Sequence, residues 1–187
     1  MKSLRQLLGL CTLGAALGTA ALPAAAQGSG PYFGISAGTT SVDLCNQVAG
    51  LGLTSCDDKD TGLKVFGGAR VSPNFAFEIG WVDLGKVTLS GPGGTGQITV
   101  DGIQAAALGI APVSPQVHLF GKLGFFLWDG KATAPGLSLT DDGTDIMFGF
   151  GVGWNITKNL TLRGEWENFD IDGDDVTMFS VGLQINF

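Results

Sequence analysis

Nine charged side chains stand in segments of this chain that are otherwise apolar or rich in glycine. Four are basic and five are acidic: Lys64, Arg70, Lys122, Arg163, Glu78, Asp101, Asp145, Glu165 and Glu167. Opposite charges in an apolar setting are expected to pair, because an unpaired buried charge costs several kcal/mol. A paired set can block a passage or admit small ions through it. The sequence leaves both roles open: a structural plug and an ion gate.

Few side chains could support catalysis or hold a metal. The one histidine is His118, and Phe120 stands two residues after it, where a nucleophile's hydroxyl would be needed. Metal sites built from several His or Cys are excluded by their number. The Gly93–Gly94 stretch lacks the lysine and the helix of a phosphate-binding loop. We therefore expect no enzyme activity, no metal and no cofactor.

The sequence Asp-Ile-Asp-Gly-Asp at 170–174 begins like a calcium loop. An EF-hand needs Gly at its sixth position and Glu at its twelfth, but this chain has Asp175 and Val181 there. We interpret the segment as a solvated hairpin tip. Together with further aspartates in the other predicted loops, it makes one rim acidic, which argues against heparin or nucleic acid as partners.

Composition excludes several classes of protein. The 187 residues include 31 glycines, only 14% are charged, and the formal net charge is −7. An acidic chain with few bases is a poor nucleic-acid binder. An apolar content of 44% is too high for a disordered chain. So many glycines disfavour a helical bundle.

The first 26 residues are predicted to be a cleaved secretory signal peptide. Lys2 and Arg5 precede an apolar run, and Ala24–Ala26 forms an A-x-A cleavage site. A membrane anchor is the alternative, but the run is short and no positive residues follow it. Residues 27–187 are the predicted mature domain. In an exported chain, Cys45 and Cys56 are predicted to form a loop-closing disulfide, with two free thiols as the alternative.

Period-two alternation runs through the mature domain and predicts strands. Phe75, Phe77, Ile79 and Trp81 alternate with small or charged residues, and the segment from Asp145 onward repeats this pattern. We predict eight strands, at about 31–40, 61–71, 74–84, 98–111, 116–128, 143–154, 159–169 and 175–187. Short connections alternate with longer ones, which is the arrangement of an all-β, antiparallel, up-and-down transmembrane barrel.

The alternation also assigns each face of the predicted barrel. The nine charged residues would face the lumen, with His118 near its periplasmic mouth, and bulky apolar residues would face lipid. A soluble ligand-binding barrel such as a lipocalin is the structural alternative, and it would turn its apolar face inward. The predicted lipid-facing set is Phe33, Ile35, Phe75, Phe77, Ile79, Leu108, Ile110, Leu119, Leu123, Phe125, Phe148, Phe150, Val152, Leu160, Leu162, Phe179, Val181, Leu183 and Ile185, with Trp81, Trp154, Trp166 and Phe187 near the interfaces.

The last strand carries the most specific signal. Ser180, Gly182, Ile185 and Phe187 resemble the C-terminal β-signal of bacterial outer-membrane barrels, with Ile185 where an aromatic residue often stands. Residues 67–85 and 159–166 resemble the OmpA/OmpX-type eight-stranded family. The resemblance implies an outer-membrane location, contact with lipid and lipopolysaccharide, and recognition by the assembly machinery. We expect no peptidoglycan-binding domain of the kind found in longer relatives.

The resemblance also implies roles for four of the lumen residues. In that family an inward glutamate on the third strand and its ionic partners are thought to block or gate the lumen, and Glu78, Lys122, Arg163 and Glu165 match those positions. The main expectation is a structural barrel that supports the envelope. A narrow gated pore is one alternative, and an adhesin acting on a host or environmental ligand through its loops is the other.

Overall fold

The protein is described by a computed structural model that covers residues 29–42, 55–57, 59–91 and 94–187. Within those residues, no helix is long and apolar enough to cross a membrane. The strands are β1 (Gly30–Val42), β2 (Ser55–Asp57), β3 (Lys59–Ser72), β4 (Phe75–Gly91), β5 (Gly94–Pro112), β6 (Val117–Ala134), β7 (Leu137–Asn155), β8 (Leu160–Ile171) and β9 (Asp174–Asn186).

Eight long strands close into a barrel. Each pairs antiparallel with its neighbour along the chain, β4 pairs with β5, and β1 pairs with β9. Closure gives every wall strand two partners, so the backbone of the wall satisfies itself as lipid requires. The three-residue β2 lies outside the closed wall and pairs with the far end of β4. The predicted eight-stranded antiparallel barrel is confirmed.

The two ends of the barrel differ. One end, the turn end, carries both ends of the described wall and the short connections 73–74, 113–116 and 156–159. The other, the hairpin end, carries the β4–β5, β6–β7 and β8–β9 tips. Residues 135–136 and 172–173 are two-residue connections, with Gly136, Asp172 and Gly173 at positive φ. Glycine tolerates this left-handed backbone, and aspartate adopts it more readily than most residues.

The strands at the hairpin end are longer than the sequence predicts. The predicted connections 85–97 and 129–142 are largely strand, because β4 pairs with β5 up to Gly91–Gly94 and β6 with β7 up to Ala134–Leu137. β7 pairs with β8 only from Met147 onward. The wall is therefore taller along β4–β7 than along β8, β9 and β1. We call this taller part the β4–β7 extension.

Side chains alternate across the wall as predicted for a membrane barrel. Phe77, Leu123 and Val181 are more than half exposed on the outside, while Lys64, Phe66 and Met178 are fully buried inside. Large apolar side chains exposed in quantity are normal only where lipid covers them. This rules out the inward-facing apolar surface of a lipocalin-type barrel.

Strand β5 has the opposite face assignment from the predicted one. Leu108 and Ile110 are buried inside, so Asp101 lies on the outside, where its carboxylate accepts a 3.1 Å hydrogen bond from the Trp81 indole N–H. The prediction that Asp101 faces the lumen was therefore wrong, as was the assignment of Leu108 and Ile110 to lipid. The alanines at 105–107 show no size alternation, so the aspartate was the misleading signal. Trp166 also differs from its predicted interface position, since it lies midway along β8 against Phe150, with ring centroids 5.1 Å apart.

Two sequence predictions lie outside the described residues. These are the signal peptide at 1–26 and the disulfide between Cys45 and Cys56, because Cys45 and the side chain of Cys56 are not described.

Candidate functional site

Six charged side chains meet in the middle of the lumen and form what we call the charged cluster. They come from four strands: Lys64 on β3, Glu78 on β4, Lys122 on β6, and Arg163, Glu165 and Glu167 on β8. Each is at least 96% buried, with Lys122 and Glu165 the most exposed at 4%. Three are cationic and three anionic, so the cluster is neutral as a whole.

Lys122 contacts all three carboxylates. Its Nζ lies 3.1 Å from Glu78 Oε1, 2.6 Å from Glu165 Oε2 and 2.9 Å from Glu167 Oε1. An ammonium group has three N–H donors, so each donor has one carboxylate oxygen. This ammonium therefore ties the carboxylates of β4 and β8 to β6 across the lumen.

The other two cations complete the pairing. Lys64 Nζ lies 2.9 Å from Glu165 Oε2 and 2.6 Å from Glu167 Oε2. Arg163 Nη1 donates to Glu78 Oε2 at 2.7 Å, and its Nε lies 3.1 Å from Glu165 Oε1. The Arg163 guanidinium carbon is also 4.4 and 4.6 Å from the Phe66 and Phe120 ring centroids. Stacking between aromatic rings suits the weakly hydrated guanidinium.

Neutral polar residues that sequence reasoning missed extend the charged cluster. The Tyr32 hydroxyl donates to Glu78 Oε2 at 3.1 Å, and Gln104 Nε2 donates to Glu78 Oε1 at 3.3 Å. Gln184 Oε1 accepts from Arg163 Nη1 at 2.9 Å. The signal that could have found Tyr32 and Gln184 is their strand parity, since each lies an even number of residues from an inward glycine, Gly34 or Gly182.

Three of the nine charged residues that were predicted to face the lumen lie away from the charged cluster. Asp101 is on the outer face, as described above. Asp145 does face inward, but toward the hairpin end, where it accepts a 2.7 Å hydrogen bond from the Trp128 indole. Arg70 is half-buried at the turn end and lines a 610 Å³ mouth there. His118 is buried beside Phe120 near the same end, with ring centroids 6.3 Å apart.

Glycines give the charged cluster its room. Gly149 lies opposite Lys122 across the β6–β7 pair, and a Cβ there would come within 2.6 Å of the Trp166 carbonyl oxygen and 3.1 Å of Glu167 Cγ. Gly153 is opposite His118, and a Cβ would overlap that imidazole. Eight strands enclose a lumen just wide enough for side chains, so large inward residues require small neighbours.

An apolar layer lies between the charged cluster and the hairpin end. Phe126 and Phe169 are fully buried with ring centroids 4.8 Å apart, and Met147, Met178 and Val82 are equally buried. The lumen is therefore filled twice, first by paired charges and then by close-packed apolar side chains.

The arrangement concentrates paired charges in the lumen. No group of three or more His, Cys, Asp or Glu that could hold a metal ion occurs among the described residues. Every carboxylate of the charged cluster faces at least one cation, so the lumen holds compensated charge. A closed antiparallel barrel with an apolar exterior and a charged, glycine-lined interior is the architecture of a transmembrane β-barrel.

Comparison with known proteins gives the family. Residues 12–187 match the outer membrane protein beta-barrel domain. Outer membrane protein A of Klebsiella pneumoniae is 28% identical over 140 residues, which are 67% of this chain and 41% of that protein. Outer membrane protein A of Shigella flexneri is 30% identical over 143 residues, 70% of this chain and 41% of that protein. The chain thus spans about two fifths of the length of these relatives.

Solved structures share the fold. Neisserial surface protein A has a TM-score of 0.57 at 15% identity, with 84% of this chain and 96% of that one covered. The N-terminal barrel domain of Pseudomonas aeruginosa OprF has a TM-score of 0.58 at 12% identity, covering 85% and 99%. Ail of Yersinia pestis, solved with the heparin analogue sucrose octasulfate, has a TM-score of 0.55 at 15% identity, covering 85% and 97%.

This chain belongs to the outer membrane protein beta-barrel domain family, and it is a protein of the bacterial outer membrane.

Proposed function

We propose that the protein is a structural barrel of the outer membrane whose lumen is closed by the charged cluster. The observation that carries the proposal is the complete pairing and burial of Lys64, Lys122 and Glu167, each with an exposure of at most 4%. Ion passage would require these pairs to separate inside a low-dielectric lumen, where an uncompensated charge costs several kcal/mol. Envelope integrity is the role that such a closed wall can serve.

A narrow gated pore is the competing function. The charged cluster holds two sets of partners for Glu165, since Lys64 Nζ and Lys122 Nζ lie 2.9 and 2.6 Å from the same oxygen, Oε2. Exchange between partners would be the gating motion. The apolar layer of Phe126 and Phe169 argues against it, because it closes the lumen a second time without any charge to rearrange.

Conductance of the refolded protein in a planar bilayer separates the two. A heat-dependent gel shift first establishes that the sample is folded. We expect no discrete channels from the wild type and none from Glu78→Ala. Discrete channels that Glu78→Ala alters would contradict a closed lumen and would identify the charged cluster as a gate. In cells, deletion of the protein should raise detergent sensitivity, and unchanged sensitivity would contradict a structural role.

A surface-recognition role is favoured by one further observation. The β4–β7 extension exposes Leu137 and Leu139, at 56% and 57%, beside the acidic pair Asp141 and Asp142. Ail was solved with a sulfated saccharide analogue, but the acidic side chains here disfavour a sulfated ligand. Replacing residues 137–142 of β7 with a Gly-Ser sequence should abolish binding to host or environmental surfaces. The heat-dependent gel shift of the folded barrel should be kept. Unchanged binding would exclude these residues.

We propose that residues 1–26 are removed on export, which N-terminal sequencing of the mature protein tests. We propose that Cys45 and Cys56 form a disulfide bond, which thiol labelling before and after reduction tests.

We propose that Ser180, Gly182, Ile185 and Phe187 form the signal that the outer-membrane assembly machinery recognises. Normal outer-membrane levels without Phe187 would contradict it. Lipid and lipopolysaccharide are the proposed surroundings of the wall.

A further inference from the structure

The hairpin end of the lumen contains a mainly apolar cavity of about 150 Å³, separate from the charged cluster. It lies beyond the apolar layer, at the base of the β4–β7 extension. Aliphatic side chains from five strands line it: Val42 (β1), Leu84 and Val87 (β4), Ile98 and Val100 (β5), Ile171 (β8) and Val176 (β9).

A β-bulge creates part of this lining. The β4–β5 register shifts between Asp83 and Lys86, so β4 contains one residue more than its partner there. Gly85 lies in the bulge at φ 78°, and it lines the cavity. Beyond the bulge the alternation of β4 reverses: Lys86 is exposed, and Val87 pairs with the cavity-lining Ile98. Without the extra residue the lysine would point inward.

Four polar residues also line the cavity, Thr40, Asp60, Lys86 and Asp174, and the first two have hydrogen-bond partners within the wall. The Thr40 hydroxyl donates to the Leu84 carbonyl oxygen at 2.8 Å. Asp60 Oδ1 accepts from the Thr61 amide and Oδ2 from the Lys86 amide, both at 2.8 Å. A water molecule is held well only with two to four polar partners, and these aliphatic walls offer few. Water here is therefore easily displaced by an apolar group.

We propose that this cavity is a binding site for a compact apolar molecule of about the size of benzene. The volume matches, because an engineered cavity of about 150 Å³ lined by aliphatic and aromatic residues binds benzene. Leu84, at 5% exposure, and the fully buried Val82 and Phe169 close the lumen toward the charged cluster. The site therefore holds its ligand at the hairpin end and does not pass it through the barrel.

Methyl NMR of the refolded barrel in lipid nanodiscs tests the proposal, with benzene as the probe. Benzene also partitions into lipid, so the protein must report both environments. We expect the Leu84, Val100 and Val176 methyl signals to shift saturably. The lipid-facing Leu123 and Val181 methyls, 63% and 62% exposed, should shift linearly without saturation. Linear shifts at all five positions would overturn the proposal.

A matched pair of substitutions assigns the saturable signal to the cavity. Val100→Phe fills the cavity and should weaken saturable binding by about tenfold or more, while Val181→Phe, on the lipid face, should leave it unchanged. Saturable binding that survives Val100→Phe would also overturn the proposal. If Val100→Phe lacks the gel shift of a folded barrel, Val87→Phe at the half-buried rim replaces it. The test does not depend on whether the lumen conducts.

Discussion

Lys122 is the residue on which the closed lumen depends most. It is the cation of the charged cluster that contacts Glu78, Glu165 and Glu167 together. Removing one partner of a buried ionic group leaves the others uncompensated, which is costlier than never having buried them. The stability of the barrel should therefore respond to this lysine far more than to an exposed one.

We expect Lys122→Met to destabilise the barrel by about 3–5 kcal/mol, because three carboxylates would then share two cations. Urea unfolding in lipid vesicles, followed by tryptophan fluorescence, measures the change in free energy of unfolding. Lys131→Met, at an exposed position of the same strand, is the control and should change it by less than about 0.5 kcal/mol. Equal stability of the two variants would show that the charged cluster is not a coupled unit.

The sequence predicts which charged residues face the lumen better than it predicts their partners. Alternation locates Lys64, Glu78 and Lys122 inside the lumen because their neighbours differ sharply in size. It cannot say which carboxylate meets which ammonium, since partners lie up to 103 residues apart and depend on how the strands are staggered. Asp101 shows the opposite failure, because a nearby indole N–H satisfies a charged residue on the outer face.

The spacing of glycines along the strands is a packing requirement of the narrow lumen. Gly34 on β1 faces the buried Phe66 of β3, whereas Gly109 on β5 has nothing within 4 Å of its would-be Cβ. Gly34 is thus needed to make room for a large side chain, whereas Gly109 is not. Sequence alone predicts strand centres well, but not the extended β6–β7 hairpin, whose two-residue turn depends on positive φ at Gly136.

We expect Gly34→Val to prevent folding or leave only a minor folded fraction. Its Cβ would overlap the Phe66 ring and lie 2.7 Å from the Leu183 carbonyl oxygen, which the wall cannot move. Gly109→Val should fold normally, since valine suits strands and space is available. The heat-dependent gel shift after refolding measures both. Similar folded fractions would contradict the packing explanation.

The surroundings of an exposed leucine depend on its height in the barrel. Leu123 and Leu137 are both largely exposed, at 63% and 56%. Leu123 lies midway along the apolar outer band of β6, and Leu137 begins β7 at the tip of the β4–β7 extension. A strand crosses the bilayer in about 9–11 residues, so we expect lipid around Leu123 and water around Leu137.

We expect Leu123→Arg to lower stability in lipid by about 2–4 kcal/mol, the cost of a basic residue at the bilayer midplane. Leu137→Arg should be nearly neutral, because its side chain stays in water. Unfolding in vesicles of a short-chain phosphatidylcholine measures both variants. If Leu137→Arg costs as much as Leu123→Arg, the extension lies in the bilayer and the assigned height is wrong.

The pairing of β1 with β9 sets the order of events during biogenesis. Tyr32 pairs with Asn186, so the seam joins the first and last strands of the wall. A nascent chain cannot close this seam until β9 has been made, and contacts of such large sequence separation form slowly. The unfinished wall would meanwhile present two unpaired edges, which invite aggregation. The wall therefore cannot close, and its two edges cannot pair, until all eight wall strands are available.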